Sequence, residues 1–327
     1  MAGLVARRDP RGADNPGRNG MSTPPTVSVV IPAYNHERYV GAAVDSVLGQ
    51  SWQDLELIVI DDGSTDNTGA VVQARRDERL TYLYQENQDA YNTINRGLRL
   101  ARGRFIAILN SDDIYALNRI ERLLEVQRAS GAACLFTDVI PVDAEGREFT
   151  DPDFGWNVWH RKNRAFYHQC GDLYSGFLKG NFMVTTSNLF LTSEAARQVG
   201  EFCSLRYLHD YDYIFRVQLA HPGQVHYLEE KLLFYRIHGG NTLSEAAILG
   251  RQQDQQVIRQ YLLAAMPEEL RGRVAAGADR LVELEQELQQ VRTELAGRIE
   301  PGVRQTARAF GRALGHFLRR RLAGPRT

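Results

Sequence analysis

Between Val27 and about Thr137 the chain alternates two hydrophobic patterns. Short aliphatic or β-branched runs at Val27–Ile31, Leu55–Ile60, Leu80–Tyr84, Phe105–Leu109 and Ala133–Thr137 read as buried strands. Between them apolar positions recur at helical spacing over Glu37–Gly49, from Ser64 to about Arg75, over Asn92–Ala101, and from about Leu117 to Ala129. On the first of these, Tyr39, Val40, Ala43, Val44, Val47 and Leu48 form the buried side. At the head of the second, Ser64, Thr65 and Asp66 offer N-cap oxygens. Strands and helices in alternation build a parallel sheet through right-handed crossovers. The expected class is α/β, with a mostly parallel central sheet flanked by helices in a Rossmann-like plan.

Residues 141–180 break the pattern. Trp, Tyr, His, Asp and Gly are scattered there without a period, which predicts a functional loop or lid. Beyond it Phe182–Leu191 reads as strand-like, Ser193–Val199 and His209–Leu219 as helices, and Val225–Ile237 as one or two strands, closing a main domain over 26–243. Residues 1–25, rich in Gly, Pro, Arg, Asn and Asp, read as a disordered extension and not as a signal peptide. A helical extension is expected over 244–300. Its stripe of Leu281, Leu284, Leu288, Val291 and Leu295 serves either packing on its own domain or a homodimer seam. The tail 301–327 sets Val303, Phe310, Leu314 and Phe317 against Arg304, Arg308, Arg312 and Arg319–Arg321. That basic amphipathic pattern suits an anionic membrane surface or a solvated helix end.

Composition narrows the reading. With 327 residues and 43% hydrophobic content the chain can bury one sizeable core plus an appendage. A net charge of -1 argues against whole-molecule electrostatic binding of nucleic acid. Cys134, Cys170 and Cys203 are far apart, lack metal-ligand spacing, and fit a reducing compartment. No apolar run approaches the roughly 18 residues that span a bilayer. The expected location is cytoplasmic, with peripheral contact at the inner face of the plasma membrane through the basic tail.

The candidate chemistry lies at the strand ends. Asp61-Asp62-Gly63-Ser64 and Asn110-Ser111-Asp112-Asp113 each follow a buried run, where open α/β sheets place ligands. Paired acids at two strand ends repel unless a cation compensates them, and a divalent metal carrying a diphosphate does so. Pro32 ends the first strand and presents Tyr34 to a planar base; Asp62 can accept the imino hydrogen of uracil. Of Asp112 and Asp113, one suits ribose hydroxyls or metal-bound water and the other direct coordination of Mg²⁺ or Mn²⁺.

The succession Val-Ser-Val-Val-Ile-Pro-Ala-Tyr-Asn, Asp-Asp-Gly-Ser-Thr-Asp, Asn-Arg-Gly-Leu-Arg-Leu-Ala-Arg-Gly-Arg-Phe-Ile and Asn-Ser-Asp-Asp resembles the family 2 inverting glycosyltransferases of the GT-A fold, over roughly Val27 to Asn241. The resemblance implies Pro32, Tyr34 and Asp62 in the nucleoside pocket, and Asp112 and Asp113 as the metal and diphosphate motif, with Asp113 favoured for direct coordination. His209-Asp210-Tyr211-Asp212 resembles the family's Glu-Asp motif, which implies Asp210 as general base, with Asp212 as the fallback. Tyr235-Arg236-Ile237-His238-Gly239-Gly240-Asn241 matches a late family segment, implying Arg236 near the diphosphate and His238 in the metal site.

There are departures: Asn110 stands where many relatives have Asp, His209 replaces a Glu, and the loop Asn87–Ile94 lacks the usual glycines and Arg. The acceptor, a saccharide or a lipid-linked one, is expected over 151–190, with Trp156, Trp159 and Tyr167 stacking on sugars and Thr186, Ser187 and Asn188 bonding hydroxyls. The donor is expected to be a nucleotide-sugar, UDP-linked by preference. Two rival classes remain open at this point: a sugar nucleotidyltransferase and a receiver-like binding module with an acidic pocket.

Overall fold

The computed structural model describes residues 24–205 and 208–239, with the helical pairs 260–261 and 290–291. The extension before residue 24, most of the segment beyond 243 and the whole basic tail lie outside the described residues. The chain divides into units Met1–Ile258 and Arg259–Thr327, and the architecture below belongs to the first.

Eight strands form one sheet in the order β3-β2-β1-β4-β7-β6-β8-β5: β1 (Val27–Ala33), β2 (Leu55–Asp62), β3 (Leu80–Gln85), β4 (Phe105–Ile108), β5 (Ile114–Tyr115), β6 (Cys134–Val142), β7 (Phe190–Thr192) and β8 (Val225–Arg236). Strands β1, β2, β3 and β4 run parallel, with Val30 opposite Ile58 and Ile108. The short β7 runs antiparallel to both β4 and β6. Two reversals return β6, and β8 parallel to it, to the direction of β1. The carboxyl ends of β1, β2, β4, β6 and β8 therefore lie on one rim.

The central strands are the most apolar, as parallel strands covered on both faces must be. All eight residues of β2 are buried, although it ends in two aspartates. Alternation along β1 divides the helices between the faces. Val29 and Ile31 share a core cluster with Val40, Ala43, Val44 and Val47 of α1 (Val40–Leu48) and Ile120, Leu123 and Leu124 of α4 (Arg119–Ser130). Val30 points the other way, onto Gly97 of α3 (Ala90–Leu100). Each fully buried aliphatic side chain contributes about 1.5–3 kcal/mol.

The second predicted helix is shorter than expected, α2 (Thr68–Gln73); its N-cap position falls on Asn67, not on Ser64, Thr65 or Asp66, though Asp66 accepts from the Thr68 backbone N–H at 2.9 Å. Residues 141–180 are not an irregular loop. They contain α5 (Gly155–Cys170) and α6 (Leu173–Lys179). On α5 the apolar contacts come from Trp, Tyr and His, whose mixed character hides the period that aliphatic residues would display, and α6 is only seven residues long. Phe182–Leu191 is likewise not one strand. A 3-10 turn at Thr186–Asn188 precedes the three residues of β7, because the polar side chains there are bonded to neighbouring elements. The helices at Ser193–Val199 (α7) and His209–Ala220 (α8) stand where the spacing puts them. Among the described residues no helix is long and apolar enough to cross a membrane.

Candidate active site at the strand ends

Loops from β1 and β2 are sewn together at the rim. Asn35 adopts φ 51°, a conformation Asn tolerates. Its N–H donates to Ser64 Oγ at 3.0 Å and its Oδ1 accepts from the Thr65 N–H at 2.8 Å. Asp61 holds the β2 turn: its Oδ1 accepts from Ser64 N–H and its Oδ2 from the Tyr82 hydroxyl, at 2.9 and 2.8 Å. Gly63 is required there, at φ +81°, because a Cβ would sit 2.8 Å from the Asn87 nitrogen.

Asp62 is the outer carboxylate. It is buried, and its Oδ1 accepts from Gln85 Nε2 (2.6 Å) and the Gln88 N–H (2.9 Å); no donor meets Oδ2 among the described residues. Arg96, in the loop and helix that depart from the family pattern, is spent on Gln85 Oε1 at 2.8 Å and so supports Asp62 indirectly. Tyr34 follows the end of β1 and is 47% exposed, and Pro32 is half-buried within β1.

After β4 the two acids diverge. Asp113, 1% exposed, accepts on Oδ2 from Ser187 Oγ at 2.6 Å and on Oδ1 from the Arg236 N–H at 2.9 Å. Burial, then the neighbouring Asp112, push its carboxyl well above the usual range. Asp112 turns instead toward two imidazoles. Its Oδ2 lies 3.1 Å from His238 Nε2, and ligand atoms of His36, Asp112 and His238 all fall within 4.8 Å of one another. Burial pushes Asp112 up, but the His238 hydrogen bond and the histidine charges outweigh it and hold it low. Burial lowers His36, favouring the neutral ring. His36 Nδ1 is fixed by Ser111 Oγ at 2.8 Å, the kind of hydrogen bond that orients the ring of a metal-binding histidine.

The sequence pattern favoured Asp113 for direct coordination. The geometry instead groups Asp112 with His238, and adds His36, which the sequence reading passed over. The signal was present in Asn35-His36, directly after Pro32 and Tyr34. Arg236 is also placed differently from expectation. Its guanidinium donates to the backbone carbonyls of Asp112, Asp143 and Ala144 at 2.8–3.0 Å and lies 4.9 Å over the Tyr39 ring, clamping the acidic loop.

Asp210 sits in the first turn of α8, where the helix N-terminus favours a carboxylate. It is buried, accepts from the Tyr211 N–H (2.8 Å) and Asn181 Nδ2 (3.2 Å), and burial raises its pKa. Asp212 is engaged elsewhere, with Arg216 Nε at 2.8 Å and the Cys203 thiol at 3.0 Å. One segment connects the two centres. Asn181 reaches Asp210, Thr186 Oγ1 lies 3.2 Å from His209 Nε2, and Ser187 holds Asp113. Within it Val184 has φ +80°, an outlier for a β-branched residue. Ser187 and Asn188 are fully buried; Asn188 bonds Arg119, Thr137 and the Met183 carbonyl, so its amide is structural.

Comparison with known proteins agrees with this architecture. Residues 28–185 match the model for Glycosyl transferase family 2. An uncharacterized glycosyltransferase of Nostoc sp. is 26% identical over 231 residues, 70% of each chain. Two solved structures share the fold. S. aureus TarS 1–349 in complex with UDP-GlcNAc aligns at TM-score 0.57 and 19% identity, covering 75% of this chain and 68% of its own. The Pyrobaculum calidifontis mannosyltransferase PcManGT, in complex with GDP-Man and Mn²⁺, aligns at 0.53 and 16%, covering 79% and 70%. The sheet with its acidic rim shares the GT-A-type fold of those structures, and the family match and the curated relative make the class a glycosyltransferase. The match to glycosyltransferase family 2 spans residues 28–185 and most of the strand-end site. That match sets aside the nucleotidyltransferase and receiver-like readings.

Proposed function

We infer that the protein moves a sugar from a nucleotide-sugar, UDP-linked by preference, to an acceptor hydroxyl with inversion at the anomeric carbon. The observation that carries the reading is the grouping of His36, Asp112 and His238 on the rim that also holds Asp62, joined through 181–188 to the buried Asp210. In this reading Pro32, Tyr34 and Asp62 take the nucleoside, the ring of Tyr34 against the base and Asp62 on its imino hydrogen. His36, Asp112 and His238 would hold a divalent cation, whose chemistry is to stabilise charge on the departing diphosphate. Two imidazoles and one carboxylate suit Mn²⁺ better than Mg²⁺, which prefers oxygen donors alone. Asp113 and Arg236 keep the Asp112 loop in place. Asp210 accepts the proton of the attacking hydroxyl; its raised pKa is what a base working near neutrality needs. One displacement with one base inverts configuration.

The acceptor is a saccharide or lipid-linked hydroxyl, and the basic pattern of 301–327 supports delivery at an anionic membrane face. The experiment is UDP release from a panel of UDP-sugars with Mn²⁺ present. Asp210→Asn is expected to bind donor and fail to transfer. Transfer retained by that variant moves the base elsewhere.

A further inference from the structure

We propose that a cleft between α5 and the β6–β8 pair is an anion-selective saccharide subsite, holding the carboxylate or phosphate of an acidic acceptor. The inference rests on the glycosyltransferase reading above and adds to it the chemical class of acceptor. The cleft encloses about 180 Å³, room for one sugar ring, and is lined by Asp138, Trp156, His160, Arg161, Arg164 and Lys231 among others.

Its charge is unbalanced. Asp138 is 2% exposed and already answered: Arg164 pairs with Oδ2 at 2.8 Å and the Val139 N–H donates to Oδ1 at 3.0 Å. Arg161 and Lys231 form no salt bridge among the described residues; Arg161 touches only the Pro152 carbonyl, at 3.1 Å. Arg164 is shared between Asp138 and Glu229, the latter at 3.2 Å, and still carries a buried Nε with no acceptor. The register shifts between β6 and β8 on either side of Asp138 set Lys231 opposite it, and such irregularities re-aim side chains.

The cleft also has a sugar-stacking wall. Trp156, the aromatic residue that lines it, lies flat on His160, ring centroids 4.8 Å apart and planes 8° apart. Trp156 stacks on Tyr235 at 6.2 Å, the residue preceding the Arg236 clamp. Counting about 3.3 Å per strand residue, Lys231 lies up to about 16 Å along β8 from Arg236. The subsite therefore lies along the strand that ends at the reaction centre.

The test titrates the full chain, without donor, with D-glucuronate, glucose 1-phosphate, glucose and inorganic phosphate, read by calorimetry or tryptophan fluorescence. One charged sugar is expected to bind at least tenfold tighter than glucose, and which one does so separates a carboxylate from a phosphate acceptor. The double variant Arg161→Gln/Lys231→Gln, at exposed positions, should lose that preference while keeping wild-type UDP release in the absence of acceptor. Glucose binding as well as both charged sugars, neither charged sugar binding, phosphate matching glucose 1-phosphate with glucuronate silent, or an unchanged double variant would each overturn the proposal. Failure of the wild type to release UDP from any sugar nucleotide would instead strike the glycosyltransferase mechanism beneath it.

Discussion

Asp210 shows how burial sets both reactivity and stability. A carboxyl raised by burial is ionised only above its displaced pKa, so kcat/KM should fall as pH drops through a value above the ordinary carboxylate range. Asp210→Asn should abolish that acid limb and cost about 10²–10⁴-fold in kcat. The stability sign follows from the same displacement. A raised folded-state pKa adds stability that is fully present below the unfolded pKa and is lost as pH rises through the folded one. Asp210→Asn should therefore melt higher than wild type in mildly alkaline buffer, the difference shrinking toward acid; an unchanged or lower melting point throughout would contradict it. Asp112 and Asp113 separate in another way. Asp113→Ala strips the acceptor from Ser187 and the Arg236 N–H and should destabilise by about 1–3 kcal/mol. Asp112→Ala should fold normally and lose Mn²⁺-dependent donor binding. Which of two adjacent acids turns inward was not legible in the chain, because the choice is made by Arg236, 123 residues away. The existence of an acidic rim was legible, since both pairs follow unbroken aliphatic strands.

Elements were readable where one physical pattern dominated. Strands β1, β2, β3 and β4 each hold a short aliphatic or aromatic run, and α1 and α4 carry apolar stripes. The pattern fails at α5, whose buried positions His160 and Asn163 are polar residues that no hydrophobic period counts, and at α6, too short to show one. Arg119 is the same lesson inside a helix. It opens α4, lies 1% exposed, and donates to Asn188 and Thr137 across the core. Close packing of elements also makes a sharp prediction at Gly97. A Cβ there would fall 2.2 Å from Val30 Cγ1, so Gly97→Ala must push α3 off β1. The expected cost is about 1–3 kcal/mol, read as a lower denaturation midpoint with unchanged slope.

For the whole molecule, ligation and folding are linked. A cation bound by His36, Asp112 and His238 in the folded state alone adds about 2.7 kcal/mol at a hundredfold excess over its Kd. Mn²⁺ should therefore raise the melting temperature of the wild type and leave His36→Ala unmoved; an equal shift in both removes His36 from the site. The segment from Asn181 to Asn188 carries a separate consequence. The same short stretch touches Asp113 through Ser187 and Asp210 through Asn181, with a strained Val184 between them. Loosening either anchor must therefore blur the other. Ser187→Ala and Asn181→Ala should each slow turnover, and the pair together should slow it by less than the product of the two. Donor seat and proton acceptor would then behave as a single mechanical part, with one spring serving two jaws.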